Sequence, residues 1–143
     1  MPTDPVVIAT PDEVNAFVAV QFPSAHAAGH RCVEMGPGRA LARWSYDPAT
    51  LRPGGLISGP IQFALADLAL WFLSFTVVGL APMAVTTDMH INFLRPAAGA
   101  DLFAEAALLR AGKSRIVGEV ILWVGDARAR PVAKVVGAYA RLG

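Results

Sequence analysis

The sequence predicts an α+β fold in which an antiparallel sheet packs around one long apolar helix. Residues 58–80 form a nearly continuous apolar run with helix boundary signals at both ends. After this run the pattern changes from helical periodicity to the alternation of apolar and polar residues that is typical of strands. The four strand-like segments that follow are residues 84–94, 101–110, 115–124 and 131–141. We expect these four strands to form an antiparallel meander.

The chain before the long helix predicts a short helix and a hairpin. Thr10 and Glu13 form a capping box around Pro11, so a helix over residues 11–22 is expected, ending before Pro23. Two strand-like segments then flank the turn Gly-Pro-Gly, and a loop rich in Pro and Gly follows them. These two predicted strands are residues 31–35 and 39–46.

The long helix has clear ends and one unexpected acid. Ser58 is a suitable N-cap, Pro60 lies in the first turn, where its missing N–H does no harm, and Gly79 is a suitable stop. The helix is long enough to span a bilayer, but Asp67 near its centre would cost about 2.5–3.5 kcal/mol there. The strand-like segments that follow also favour a helix buried inside a globular protein, with no membrane partner.

Composition limits the remaining classes of protein. The length of 143 residues predicts a single domain over residues 1–143. Hydrophobic residues make up 55% and charged residues 16% of the chain, so much surface is buried and a homo-oligomer is expected, a dimer or a dimer of dimers. The net charge of +1 and the lack of a dense basic cluster argue against a nucleic-acid partner. Cys32 is the only cysteine, and the N-terminus lacks secretory features, so a cytoplasmic location is expected.

Two phrases in the sequence resemble a known family. The phrases are GGLISGPIQFALADLAL, which contains Asp67, and TTDMHINFLRPA, which begins the segment after the helix. Together with the order of elements over roughly residues 36–141, they resemble the hotdog-fold acyl-CoA thioesterases, in particular the phenylacetate-pathway PaaI-like group. The resemblance implies a curved antiparallel sheet around a long central helix. It also implies subunits paired with sites at their interface, an acyl-CoA substrate and no cofactor.

The resemblance implies roles for three residues. The family motif at the start of the long helix consists of Asn, two residues, Gly, two residues and His-Gly-Gly, with an acid nine positions after the His. Gly55 and Gly59 match two of its glycines, and Asp67 matches the acid. The resemblance implies that Asp67 is the catalytic base or nucleophile and that the Gly59 backbone N–H binds the oxyanion. Thr86 aligns with a hydroxyl residue that helps to hold the attacking water.

The chain departs from this motif at three positions. Arg52 stands in the place of the Asn, Ser58 in the place of the His and Pro60 in the place of the second Gly. Ser58 is either a helix cap or a donor to the acyl carbonyl, and Arg52 is either a ligand for a substrate carboxylate or a solvated loop residue. These departures leave open a non-catalytic acyl-CoA binder. A hotdog-fold hydratase is disfavoured, because its acid usually works with a His that is missing here.

The spacing of Gly59 and Asp67 has a geometric consequence. They are eight residues apart on one helix, which separates them by about 12 Å along its axis. One carbonyl group cannot reach both. If both act on one substrate, they belong to different subunits of a two-fold dimer.

Other side chains are weaker candidates for substrate binding. Phe63 and Trp71 are predicted to line an apolar pocket near the acid, although aromatic residues at this spacing are commonly plain core. Arg95, Lys113 and Arg115 fall at strand ends or turns where they could meet the phosphates of coenzyme A.

A metal site is not expected. His26, His30 and Cys32 lie close together in the sequence, but the segment has no clear helix and no acidic partner.

Overall fold

The computed structural model describes residues 6–141. Three helices and six strands follow one another in the chain, with one 3-10 turn at Pro48–Thr50. The helices are α1 Pro11–Gln21, α2 Pro23–Ala27 and α3 Gly59–Val78. The strands are β1 His30–Gly36, β2 Arg39–Trp44, β3 Val85–Phe93, β4 Leu102–Ala111, β5 Arg115–Val124 and β6 Ala133–Ala140.

The six strands form one antiparallel sheet that packs around α3. Their order across the sheet is β1-β2-β4-β5-β6-β3, and each neighbouring pair is antiparallel. Helix α3 contacts every strand of the sheet. This arrangement confirms the predicted α+β hotdog fold.

The predicted four-strand meander is wrong for its first strand. β3 pairs with β6 at one edge of the sheet, whereas both sides of β4 are occupied by β2 and β5. The link over residues 94–101 is therefore a crossing and not a hairpin. Backbone hydrogen bonds fix this link to the rest of the protein. Leu94 N–H donates to Val132 O across 2.7 Å, and Ile57 N–H donates to Ala97 O across 2.8 Å.

The predicted alternation of β3 is wrong at its start. The pairing of β3 with β6 shifts between Thr86 and Asp88, so Thr87 is an extra residue in a β-bulge. Strict alternation along residues 84–94 predicts a half-buried strand with Thr86 on the opposite face from Met89. The bulge instead turns Thr86 toward α3, and β3 is mostly exposed. As an edge strand, it pairs on only one side with other residues in the described part of the chain.

Both predicted ends of α3 are confirmed. Ser58 Oγ accepts a hydrogen bond from Ile61 N–H across 3.3 Å. Gly79 ends the helix with a φ of 79° and donates its N–H to Phe75 O across 3.0 Å. By length and composition α3 could cross a membrane, but 61% of its most apolar 18-residue stretch is buried inside the protein. It is the core helix of the sheet.

Two glycines let α3 lie unusually close to strands β5 and β6. A Cβ atom at Gly118 would lie 2.6 Å from Leu73 Cδ2, and one at Gly137 would lie 2.7 Å from Leu70 Cδ1. Real Cβ atoms do not approach so closely, so a larger residue at either position would force these leucine side chains to move. The two glycines thus provide room for Leu70 and Leu73 of α3 against the sheet.

The N-terminal helices pack against one side of α3. The predicted capping box is confirmed, since Thr10 Oγ1 accepts from Glu13 N–H and Glu13 Oε1 accepts from Thr10 N–H. The Phe17 ring lies 5.9 Å from the ring of Trp71 on α3. A second helix, α2, follows Phe22 in a segment where the sequence showed no clear helix. The turn at Phe22 thus becomes part of the surface around Asp67.

Candidate functional site

Asp67 is held by two hydroxyl groups from the sheet. Tyr139 on β6 donates its O–H to Asp67 Oδ1 across 2.5 Å, and the same hydroxyl lies 2.8 Å from the Asp67 backbone carbonyl. Thr86 on β3 donates its O–H to the same Oδ1 across 2.6 Å. Among the described residues no side chain donates to Oδ2. One carboxylate oxygen is thus fixed, and the other is left for a substrate or a water molecule.

Tyr139 remains a hydrogen-bond donor over the working range of most enzymes. Burial raises the pKa of its hydroxyl far above the usual value, and the negative charge of Asp67 raises it further. The hydroxyl therefore stays protonated and can only donate to the carboxylate. Together, the hydroxyl groups of Tyr139 and Thr86 orient the carboxylate and leave Oδ2 as the reactive atom.

A cleft of about 390 Å³ opens at Asp67, and we call it the Asp67 cleft. Its wall is partly polar and partly apolar. The residues that matter here are Phe22, Asp67, Leu68, Trp71, Thr86 and Tyr139. Asp67 is half-buried, whereas Leu68 and Trp71 are buried. The carboxylate thus meets an apolar surface that suits the hydrocarbon part of a ligand.

A second cleft of about 480 Å³ lies at the N-terminus of α3, and we call it the Gly59 cleft. It is lined by Arg52, Ile57, Gly59, Gln62, Phe93 and Arg95, among others. As the first residue of the helix, Gly59 has no intrahelical acceptor for its N–H. Within the described chain no other group accepts from it. The helix start therefore presents a free donor and the positive end of the helix dipole to this cleft.

Glycine at position 59 also fits the packing of this cleft. A Cβ atom there would lie 3.2 Å from Phe93 Cζ, so the ring would have to move. The ring edge of Phe93 thus lies against the helix start, beside the free N–H.

Asp67 and Gly59 line different clefts of one chain. The separation that their spacing predicts is present, and no single reacting group can touch both in one protomer. The Asp67 cleft offers a base, and the Gly59 cleft offers an oxyanion donor. The two clefts would act on one substrate only if the Gly59 cleft of another subunit lay against the Asp67 cleft.

The structure places the weaker motif candidates as follows. Ser58 is the N-cap of α3, so its predicted structural role is confirmed. Gly55 has a φ of 73° and donates its N–H to Arg52 O across 3.2 Å, which makes it a turn residue outside both clefts. Arg52 is exposed and lines the Gly59 cleft, where Arg95 joins it.

The other predicted substrate contacts divide into two groups. Trp71 lines the Asp67 cleft. Phe63 is 39% exposed on the open face of α3 and lines neither cleft. Lys113 and Arg115 lie exposed at the β4–β5 turn, away from both clefts of the protomer.

Sequence reasoning missed three residues of the site. Tyr139 lies 72 positions after Asp67, and only the rule that a buried tyrosine hydroxyl needs a partner could have suggested its role. Phe22 enters the site because the chain turns between α1 and α2. Arg130 lies in a third cleft that shares Arg95 with the Gly59 cleft, and its loop position gave no signal.

The described residues contain no group of three or more His, Cys, Asp or Glu side chains that could hold a metal ion. His26 lies in α2 and His30 begins β1, so the two histidines belong to different elements. Cys32 is buried, and burial raises the pKa of its thiol to about 12, so it is present as the uncharged thiol.

Comparisons with known proteins agree with this fold. The model of the thioesterase superfamily matches residues 54–129, more than half of the chain, including Gly59, Asp67 and Thr86. A protein of Saccharolobus solfataricus named as an esterase is 29% identical over 109 residues, which cover 76% of each chain.

Solved structures extend the likeness to nearly the whole chain. A structure from Silicibacter sp. TM1040 described as a thioesterase is 29% identical, with a TM-score of 0.83 over 96% of this chain and 95% of that one. The PaaI protein of the E. coli phenylacetic acid degradation operon is 26% identical, with a TM-score of 0.76 over 91% of this chain and 92% of that one. With the family model matched over more than half of its length, the chain belongs to the thioesterase superfamily.

Proposed function

We propose that this protein hydrolyses acyl-CoA thioesters at a site shared by two subunits. The observation that carries the proposal is the environment of Asp67, whose Oδ1 is fixed by Tyr139 and Thr86 while Oδ2 receives no side-chain donor in the described chain and the carboxylate lines a partly apolar cleft. A fixed carboxylate with one free oxygen beside an apolar surface suits a base or nucleophile that acts on an acyl group.

The chemistry follows from this geometry. Asp67 Oδ2 takes a proton from a water molecule, whose oxygen adds to the thioester carbonyl carbon. The C–S bond then breaks, the carboxylic acid forms, and the proton is returned to the sulfur of coenzyme A. Direct attack by Oδ2 gives the same products through an anhydride that water hydrolyses. Thr86 donates its O–H to Oδ1, and its oxygen is left to accept a hydrogen bond from the attacking water.

The oxyanion of this reaction requires a donor that the same chain cannot bring to Asp67. We assign this role to Gly59 N–H of the partner subunit, because that N–H is free and lies at a helix N-terminus. Ser58 is a further donor candidate beside it. A two-fold dimer would create two equivalent sites, each built from the Asp67 cleft of one subunit and the Gly59 cleft of the other.

The exposed surface of the protomer supports such a dimer. The open edge of β3 carries exposed apolar side chains, with Val85 at 41% and Phe93 at 53% exposure, and Phe63 lies exposed on α3. An unpaired edge strand with apolar side chains normally pairs or is covered. A partner that covers this edge would also bring the two kinds of cleft together.

Arginine side chains mark where the nucleotide end of coenzyme A would bind. Arg52 and Arg95 line the Gly59 cleft, and Arg95 and Arg130 line the cleft next to it. Arg95 is held in place, since it donates to Pro131 O across 2.8 Å. Lys113 and Arg115 would contribute only from another subunit. The proposal includes no cofactor, and it places the enzyme in the cytoplasm.

A thiol-release assay on acetyl-, hexanoyl- and phenylacetyl-CoA tests the proposal, with wild type and Asp67→Asn in parallel. Removing the base is expected to lower kcat by at least about 100-fold. The replacement of the motif His and Asn by Ser58 and Arg52 favours one rival, a protein that binds acyl-CoA without cleaving it. Tight binding with no thiol release by the wild type would establish that rival and refute the proposal.

A further inference from the structure

Buried polar side chains without partners collect around the clefts. In the described part of the chain five buried side-chain polar atoms lack a hydrogen-bond partner. Three of them belong to residues that line clefts, namely His30, Gln62 and Trp71. Because buried polar groups are almost always hydrogen-bonded, such exceptions mark places where a ligand or a bound water completes the bonding. His30 is the most informative of the three.

His30 lines a cavity that joins the Asp67 cleft. The cavity has a volume of about 210 Å³, and we call it the inner cavity. Its walls are Phe22, Ser24, Ala25, Ala28, His30 and Ala64, and it shares Phe22, Asp67 and Leu68 with the Asp67 cleft. His30 is only 7% exposed, and its Nδ1 has no partner. The inner cavity thus has both the Asp67 carboxylate and the nearly buried His30 in its lining.

The size of the inner cavity limits what enters it. Ala25, Ala28 and Ala64 leave the space open because their side chains are small. At about 30 Å³ per small group, the volume accommodates roughly seven non-hydrogen atoms. A short chain or a single ring fits inside this volume, whereas a long fatty chain would extend beyond it.

The imidazole is neutral, which limits what it binds. Burial lowers the pKa of His30 to about 4, and the nearby positive charge of Arg31 adds to the effect. A neutral imidazole offers one N–H donor and one acceptor nitrogen. It therefore suits a hydroxyl or carbonyl group, whereas a carboxylate would bring an uncompensated charge into a buried site.

We propose that the inner cavity is the acyl subsite and that His30 selects short acyl groups ending in a neutral hydrogen-bonding group. This inference rests on the proposed function, because Asp67 at the mouth of the cavity would hold the thioester while the acyl end extends toward His30. Ser24, an exposed residue of the same lining, adds a hydroxyl group to the inner cavity.

Binding of a matched series of CoA thioesters to the Asp67→Asn protein tests the inference. The series has acyl chains of three to six carbons ending in a methyl, a hydroxyl or a carboxylate group, and calorimetry gives the Kd of each. We expect a terminal hydroxyl to tighten binding about tenfold over the methyl chain at the best length, which corresponds to one hydrogen bond. The carboxylate chain is expected to bind more weakly than the hydroxyl chain.

Two variants assign the preference to its source. His30→Leu is expected to remove the gain from the hydroxyl, whereas His26→Leu is a matched control, because His26 also has a buried unpaired Nδ1 but lines neither the Asp67 cleft nor the inner cavity. Ala64→Leu keeps His30 and fills the inner cavity, so it is expected to lose six-carbon chains and retain acetyl-CoA. This second variant keeps the test decisive if His30→Leu fails to fold.

The inference is wrong if the hydroxyl gives no gain, if the gain survives in His30→Leu, or if Ala64→Leu binds six-carbon chains as tightly as its parent. Because these are binding measurements, they separate the two proposals. A wild type that binds with a His30-dependent preference but releases no thiol refutes only hydrolysis. A wild type that hydrolyses without such a preference refutes only the assignment of the inner cavity.

Discussion

The Tyr139 hydroxyl lies 2.5 Å from Asp67 Oδ1, joining the last strand to the middle of the central helix. Thr86 donates to the same oxygen from the edge strand. Three elements thus converge on one carboxylate oxygen. This convergence distinguishes Asp67 from an acid that merely tolerates its place in an apolar helix.

Replacing Tyr139 by Phe removes one of the two donors to Asp67 Oδ1. We expect kcat for thioester hydrolysis to fall about 10- to 100-fold, because a hydrogen bond to a charged group contributes about 1.5–3 kcal/mol. Steady-state thiol release measures this change. Tyr46→Phe is the matched control, since Tyr46 is the other tyrosine and lies outside the Asp67 cleft. Equal rates for Tyr139→Phe and wild type would show that the hydroxyl does not position the carboxylate.

His30 makes the stability of the protein depend on pH in the acid range. Its pKa is 6.5 in an unfolded chain and about 4 in the folded one, so only the unfolded state takes up a proton between these values. The stabilisation is complete above pH 6.5 and is lost as the pH falls toward 4, by about 3 kcal/mol. Urea unfolding at several pH values measures it.

The contribution of His30 is the difference between the pH dependences of wild type and His30→Leu. Other groups that titrate in this range cancel in that comparison, and His26→Leu is the control. Parallel curves for wild type and His30→Leu would contradict a buried neutral imidazole.

We expect Arg95 and Arg130, which line the same cleft, to bind the phosphates of coenzyme A. Arg95→Ala and Arg130→Ala should each raise KM several-fold and leave kcat nearly unchanged, since these side chains are proposed to bind the phosphates and not the reacting carbonyl. The effect should shrink at high salt and vanish for a substrate that lacks the nucleotide, such as an acylated pantetheine. Arg110→Ala, at an exposed position of β4, is the control. A loss that persists with the short substrate would contradict phosphate binding.

The ends of the central helix could be predicted from the sequence because they depend on local chemistry. Ser58 caps, Pro60 needs no N–H acceptor in the first turn, and Gly79 adopts a positive φ; each effect acts within one turn of the chain. The apolar composition of α3 likewise predicted a helix that is buried on most sides.

The strand order and the site could not be predicted in the same way. The pairing of β3 with β6 depends on the path of the link over residues 94–101, which alternation does not encode. The bulge after Thr86 reverses which residues face the helix, so a simple alternation put Thr86 on the wrong face. Tyr139 meets Asp67 from 72 positions further along the chain, so this contact depends on how β6 packs against α3 and not on the local sequence.

The shared site is tested most directly by mixing two inactive variants. Asp67→Asn removes the base, and Gly59→Pro removes the N–H at a position where helices accept proline and where Ser58 already has the extended backbone that precedes one. Gly59→Ala adds a similar Cβ contact with Phe93 but keeps the N–H, so it controls for packing.

We expect Asp67→Asn and Gly59→Pro each to be nearly inactive alone. Their coexpressed mixture is expected to regain about a quarter of the wild-type activity. Half of the dimers in a random mixture are mixed, and each mixed dimer contains one site with both Asp67 and Gly59 N–H. A mixture as inactive as its parents, although mixed dimers are isolated from it, would contradict a site built from two subunits.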